Sequence, residues 1–325
     1  MLNQDRLKIA VVGAGSIGAK HIQAISENKA CSLSGIADIA EERARTLAQA
    51  NHTNWYSDYK EMYETEKPDA VIVNLPHGLH CEAAEYFLNK NVHVLMEKPM
   101  ANSLAECDRM IEAERKSKAK LAIGHVQRYF EAHRYLRERV LDSSYGDLRM
   151  ISEVRNTDYF TSTRPRWFLD KKAAGGGIMM NLGAHSIDKL LYIVGGDIAS
   201  VHALVSEKRE NGSIEGQVQM LIGLRDGISA SIMLNGYSHN FYEQYFYFDK
   251  ATIKVVNTRE LFVDIGSGYV KVPIGEMDML GQQLTEFIAY IQGKESEVVT
   301  PQYARKVIEV IEEVYRQNGL LSAEV

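Results

Sequence analysis

Apolar residues follow two different rhythms along this chain. Up to about residue 124, short unbroken apolar runs alternate with stretches whose apolar residues recur every three or four positions. The runs are Lys8–Val12, Leu33–Ala37, Ala70–Asn74, Val92–Met96 and Leu121–Gly124. Continuous apolar character over so few residues suits a strand buried on both faces, as in a parallel sheet. Between the runs, Ile17, His21 and Ile25 form one helical stripe, and Leu104, Cys107 and Ile111 another. Strands alternating with helices predict an α/β domain around a parallel sheet. Beyond about residue 145 the period becomes two. Arg149–Arg155, Val201–Val205, Gln217–Leu224, Ile228–Leu234 and Gln244–Phe248 alternate faces, and Arg225-Asp226-Gly227 is a hairpin signal between two of them. These predict a second α/β domain built on a large, mostly antiparallel open sheet with one face on helices. Val218, Met220 and Ile222 are expected on the other face, as a contact for a second copy of the chain. Helices over Met279–Ile291 and Pro301–Asn318 close the chain. The domains are expected at residues 1–124 and 125–325, with the C-terminal helix packing back on the first.

The first strand runs straight into Gly13-Ala14-Gly15-Ser16-Ile17-Gly18, which fits G-x-G-x-x-G at a strand-to-helix turn. In that pattern the first glycine allows the turn, the second admits a pyrophosphate, and the third lets helix and strand pack closely. The helix N-terminus supplies N–H groups and partial positive charge for the phosphates, with Ser16 and Ile17 at its mouth. The second apolar run ends at Asp38, twenty positions after Gly18, where a carboxylate accepts the hydroxyls of an adenosine ribose. A Rossmann domain binding a dinucleotide is the expectation. Asp38 favours NAD, because it would repel a 2′-phosphate and Ile39 offers that group no partner. Arg43 and Arg45, in the following helix, keep NADP open as the less favoured cofactor.

Composition narrows the partners. A net charge of −6 with 25% charged residues gives no basic field for nucleic acid or an anionic membrane. No apolar stretch is long enough to span a bilayer, and the N-terminal residues do not resemble a signal peptide. Cys31, Cys81 and Cys107 are widely spaced, without a C-x-x-C or metal-ligand pattern, so buried reduced thiols, no metal and a cytoplasmic location are expected.

Four further segments carry candidate chemistry. Loops at the C-terminal ends of parallel strands line the ligand crevice, which places Asn74, Pro76, His77 and His80 beside the cofactor. Glu97-Lys98-Pro99 leaves the next strand, and an ammonium there could polarise a substrate oxygen. Arg128 could pair with Glu97 or contact substrate hydroxyls. Gly175-Gly176-Gly177 opens a helix whose free N–H groups could face a ligand. On it Asn181 and His185, four apart, share a face; His185 is a natural proton acceptor near neutral pH. Asp188 could hold the other imidazole nitrogen or form a helix-surface pair. The aromatics from Tyr237 to Phe248 could line a sugar pocket or simply fill the core.

Taken together, the glycine fingerprint, Leu75-Pro76 with His80, Glu97-Lys98-Pro99, and the glycine triplet followed by His185 and Asp188 resemble the Gfo/Idh/MocA family, named for glucose–fructose oxidoreductase and inositol dehydrogenase. The resemblance spans essentially the whole chain. It implies NAD-dependent oxidation of a secondary alcohol of a sugar or cyclic polyol, with Lys98 and His185 as the catalytic pair and Asn181 beside them. Glu97 and Lys98 would also touch the cofactor, while Arg128, Arg155, Asn181 and Tyr237 would contact substrate with the catalytic pair. The family usually carries aspartate where this chain has Asn181, which can hydrogen-bond a hydroxyl but cannot stabilise an imidazolium by charge. The alternatives are a sugar or nucleotide-sugar oxidoreductase that uses tightly bound NAD transiently, and a non-catalytic NAD-binding sensor.

Overall fold

The structure is a computed structural model that describes residues 6–206, 214–224, 227–275 and 277–321. It divides into two compact units, one running through His125 and taking in Asp278–Arg305, the other running from Val126 to Met277 and resuming at Lys306.

In the first unit the apolar runs are strands of one parallel sheet: β1 (Leu7–Val12), β2 (Cys31–Ala37), β3 (Asn54–Tyr56), β4 (Ala70–Val73), β5 (His93–Glu97) and β6 (Leu121–Gly124). Helices α1 (Ser16–Glu27), α2 (Glu41–Ala50), α3 (Tyr59–Glu66), α4 (His80–Asn89) and α5 (Leu104–Lys116) connect them. Only β3 escapes the sequence pattern. It is three residues long and mostly exposed, so it has no apolar run to announce it. Strand order is β3-β2-β1-β4-β5-β6, which reverses direction between β1 and β4. A reversal of this kind opens a crevice at the strands' carboxyl ends. The central strands are buried on both sides: Ile9, Val11, Ile36, Ile72 and Leu95 pack with Ile22 and Ile25 of α1. Leu284, Phe287 and Ile288, on the later helix Met279–Ile291, complete this core.

The second unit holds an eight-stranded sheet: β7 (Leu148–Asp158), β8 (Ile198–Ser206), β9 (Gln217–Leu224), β10 (Ser229–Asn235), β11 (Tyr237–Phe248), β12 (Thr252–Val256), β13 (Glu260–Asp264) and β14 (Val270–Val272). The order is β14-β13-β12-β11-β7-β10-β9-β8, antiparallel throughout except between β7 and β10. Around it run α6 (Glu131–Asp142), the short α7 (Lys171–Ala174) and α8 (Ala184–Val194). After them α9 (Met279–Ile291) belongs to the first unit, and α10 (Pro301–Gln317) places all but its first five residues in the second. Of the expected hairpin turn, Arg225 and Asp226 lie outside the described residues.

One expectation about this sheet is reversed. Val218, Met220 and Ile222 are at most 2% exposed and belong to the covered face. Their neighbours on the other pleat are open instead: Leu221 is 63% exposed, Leu204 on β8 75% and Met233 on β10 41%. Strict alternation tells which residues share a face but not which face meets the helices, and here both carry apolar residues. Among the described residues no helix is long and apolar enough to cross a membrane.

Candidate active site

The glycine turn after β1 is built as its sequence requires. Gly13 adopts φ +90°, and a Cβ there would stand 2.5 Å from the Asn74 carbonyl oxygen at the end of β4. A Cβ at Gly18 would stand 2.0 Å from the Gly13 carbonyl oxygen, so only glycine lets α1 sit this close to the turn. A Cβ at Gly15 would meet nothing within 4 Å, which leaves the backbone open on that side. Gly15 caps α1 without any side-chain hydrogen bond, and Ser16 and Ile17 lie partly open to solvent. The buried Oδ1 of Asn74 has no hydrogen-bond partner. An open backbone and an uncapped helix N-terminus fit the pyrophosphate of a dinucleotide, while the Asn74 oxygen, an acceptor, suits a hydroxyl or amide donor instead.

Asp38 closes the other side of this cradle. Its Oδ2 accepts the Ala14 N–H at 2.7 Å and its Oδ1 the Ala40 N–H at 2.8 Å. Arg43, four-fifths of a helical turn into α2 and half exposed, grips both oxygens through Nη2 at 2.9 and 3.0 Å. Burial alone would raise this carboxyl's pKa. The Arg43 and backbone hydrogen bonds outweigh burial and hold it below the ordinary range. Arg45 is engaged with Glu42, and Ile39 points into solvent.

The loops after β4 and β5 are tied together by His80, at the start of α4. It is fully buried, with Nδ1 2.9 Å from the Pro99 carbonyl oxygen and Nε2 2.9 Å from that of Leu75. His80 was expected among the cofactor contacts; with both ring nitrogens on backbone carbonyls it acts as a brace between loops. His77 packs edge-on against it at 5.7 Å, behind Pro76. Glu97 was likewise expected at the cofactor. Its carboxylate instead accepts from His21 Nε2 at 3.0 Å and from the Lys98 backbone N–H at 3.1 Å. Lys98 itself is half-buried where the chain leaves β5, the strand beside β4.

In the second unit, Asn181 and His185 are 8% and 9% exposed. They do not lie on one regular helix. Met179–Gly183 is a widened turn in which the Ala184 N–H reaches back to the Met179 carbonyl, and α8 begins only after it. Turns of this kind are frequent at functional sites. The Asn181 Nδ2 donates to the Tyr159 hydroxyl at 3.2 Å, and burial pushes that phenol up to about 12, so it stays protonated. The N–H groups opening this segment do not face a ligand, contrary to expectation. Gly177 and Met179 donate to the buried Glu215 carboxylate at 2.8–2.9 Å, which also accepts the Tyr315 hydroxyl at 2.8 Å. The glycines serve that packing. A Cβ at Gly176 would stand 2.0 Å from the Tyr315 hydroxyl, and one at Gly177 2.0 Å from the Glu215 carbonyl oxygen.

Arg128 pairs with Asp188 at 2.8 Å, both buried, rather than with Glu97. Arg155 lies over the Tyr242 ring at 5.0 Å, with Nη1 buried and without a partner. Tyr237 stacks on Phe160 at 5.1 Å. Beneath α8 runs a polar cluster that the sequence did not reveal. Glu153 on β7 pairs with Lys189 at 2.7 Å and accepts from Ser186 at 2.5 Å and Gln244 at 3.1 Å. Burial would raise the Glu153 pKa, but the Lys189 charge and these donors hold it below the carboxylate range.

Comparison with known proteins agrees with this geometry. Residues 7–125 match the model for an oxidoreductase family with an NAD-binding Rossmann fold, and residues 133–255 match the GFO/IDH/MocA C-terminal domain. The 1-carboxy-3-chloro-3,4-dihydroxycyclohexa-1,5-diene dehydrogenase of Comamonas testosteroni is 26% identical over 72% of this chain and 59% of its own length. Myo-inositol 2-dehydrogenase of Thermotoga maritima is 29% identical over 61% of this chain and 58% of its own. The chain thus spans under two thirds of the length of either relative. The structure of an aldose-aldose oxidoreductase from Caulobacter crescentus superposes with a TM-score of 0.87, covering 96% of this chain and 97% of that one at 23% identity. With family models matched in both halves and the glycine cradle in place, the chain belongs to the Gfo/Idh/MocA family of oxidoreductases.

Proposed function

We propose that this protein is an NAD-dependent dehydrogenase acting on a secondary alcohol of a sugar or cyclic polyol. The observation that carries the reading is the open phosphate cradle at Gly15 beside Asn74, with Lys98 leaving the adjacent strand. The bound nicotinamide supplies the hydride acceptor. Lys98 polarises the substrate oxygen through its ammonium, and His185 takes the hydroxyl proton. Asn181 orients a neighbouring hydroxyl, with Tyr159 holding its amide. NAD is preferred to NADP because Asp38 keeps its charge where a 2′-phosphate would fall. The chain works as a homodimer or homotetramer through the open sheet face, a reading supported by exposed Leu204, Leu221 and Met233. The test is NADH formation on a panel of cyclic polyols, free sugars and sugar phosphates with NAD. NADH appearing with a polyol or sugar supports the assignment, and no net reduction with any compound overturns it.

A further inference from the structure

α1 does more than present N–H groups to a dinucleotide. Its entry is fixed by the contact of Gly18 with Gly13. Three residues further along, His21 turns inward, 1% exposed in an otherwise apolar stripe. Its Nε2 lies 3.0 Å from Glu97 Oε1, and Glu97 Oε2 accepts the Lys98 backbone N–H at 3.1 Å. The carboxylate fills the space beside β6 that a side chain would need, since a Cβ at Gly124 would stand 3.1 Å from Glu97 Oε1. Glu97 is thus held against α1 by His21 and lies against Gly124 of β6.

We infer that His21 is a positioning residue for Lys98: it fixes the Glu97 carboxylate, and Glu97 fixes the backbone and the positive charge of Lys98. The inference rests on the reading of Lys98 as the group that polarises substrate. Burial by itself would raise the Glu97 pKa, but the His21 hydrogen bond and the charges of His21 and Lys98 bring it below the ordinary range. One more titratable group feels this carboxylate, His80 on α4, and burial keeps that ring below its usual pKa. An ionised Glu97 beside an ammonium favours the charged lysine, whereas a neutral amide does not. The phosphate cradle and the lysine loop therefore share one rigid helix, and His21 is the link.

The test needs neither cofactor nor substrate. The full-length protein is acylated briefly with acetic anhydride across a pH series, and modification of Lys98 is followed by mass spectrometry. In Glu97→Gln the midpoint for Lys98 labelling should fall by about one pH unit, as expected when the attraction of the Glu97 carboxylate is removed. In His21→Leu it should fall as well, and in His21→Gln, which keeps a donor near Glu97, it should return close to wild type. An unmoved midpoint in Glu97→Gln overturns the inference, even if His21→Leu fails to fold. Failure of the dehydrogenase reading would appear separately, as the absence of NADH formation.

Discussion

At the scale of single residues, the proposed preference for NAD rests on Asp38. Both its oxygens are already engaged, by Ala14, Ala40 and Arg43, so the carboxylate is held in place before any ribose arrives. Replacing Asp38 with alanine removes charged hydrogen bonds worth about 1.5–3 kcal/mol each. The KM for NAD should rise at least tenfold in steady-state assays, and the preference over NADP should shrink. Arg43→Ala should leave NAD use nearly intact, because the backbone donors still hold Asp38, and should weaken NADP use by removing the guanidinium paired with Asp38. An unchanged ratio of the two Michaelis constants in Asp38→Ala would contradict this role. The glycine turn and the position of Asp38 beside it were legible in the sequence, because Gly13, Gly15, Gly18 and Asp38 lie in one local strand-turn-helix pattern. His21 left a weaker sign, a histidine on an apolar stripe. The partners of His80 and of the glycine triplet could not be read, since Pro99, Glu215 and Tyr315 reach them only through the fold.

Among the elements, α8 is one whose placement depends on a buried charge. Glu153 and Lys189 join it to β7, with Ser186 and Gln244 completing the cluster. Removing one partner leaves the other charge buried and unpaired, at a cost of about 3–5 kcal/mol. Glu153→Gln should therefore lower stability at neutral pH by roughly that amount in denaturant unfolding. The pH dependence follows from the sign of the shift. Because the folded pKa of Glu153 is depressed below its ordinary 4.5, its contribution is present above that pH and is lost as pH falls through the folded value. The gap between wild type and variant should narrow as pH falls through that value; a gap that stays constant in acid would argue against an ionised Glu153. The sequence predicted most strands through their apolar runs or their alternation, and a helix behind the glycine triplet. It missed β12, β13 and β14, which are three to five residues each, and the widened turn before α8, where a long-range carboxylate decides the local geometry.

For the molecule as a whole, the open face of the large sheet is where the proposed contact with a second copy is placed. A shallow groove of about 520 Å³ crosses it, bounded by Leu204, Leu221 and Met233 among others. If the proposed oligomer forms here, Leu221→Lys should reduce it to monomer in light scattering while the circular dichroism spectrum stays unchanged. An oligomer that survives the substitution would place the contact elsewhere. The error over Val218, Met220 and Ile222 belongs to this scale too: alternation fixes parity along a strand, and only the position of the helices decides which parity is inside.

The central claim is that a polyol or sugar hydroxyl gives hydride to NAD with the help of Lys98 and His185. NADH absorbance during turnover of the best compound in the panel, measured for wild type, Lys98→Ala and His185→Ala, tests it most directly. Wild type should accumulate NADH, and both variants should lose nearly all turnover while binding NAD with near wild-type affinity. Full activity in either variant, or no NADH from the wild type with any compound, would contradict it.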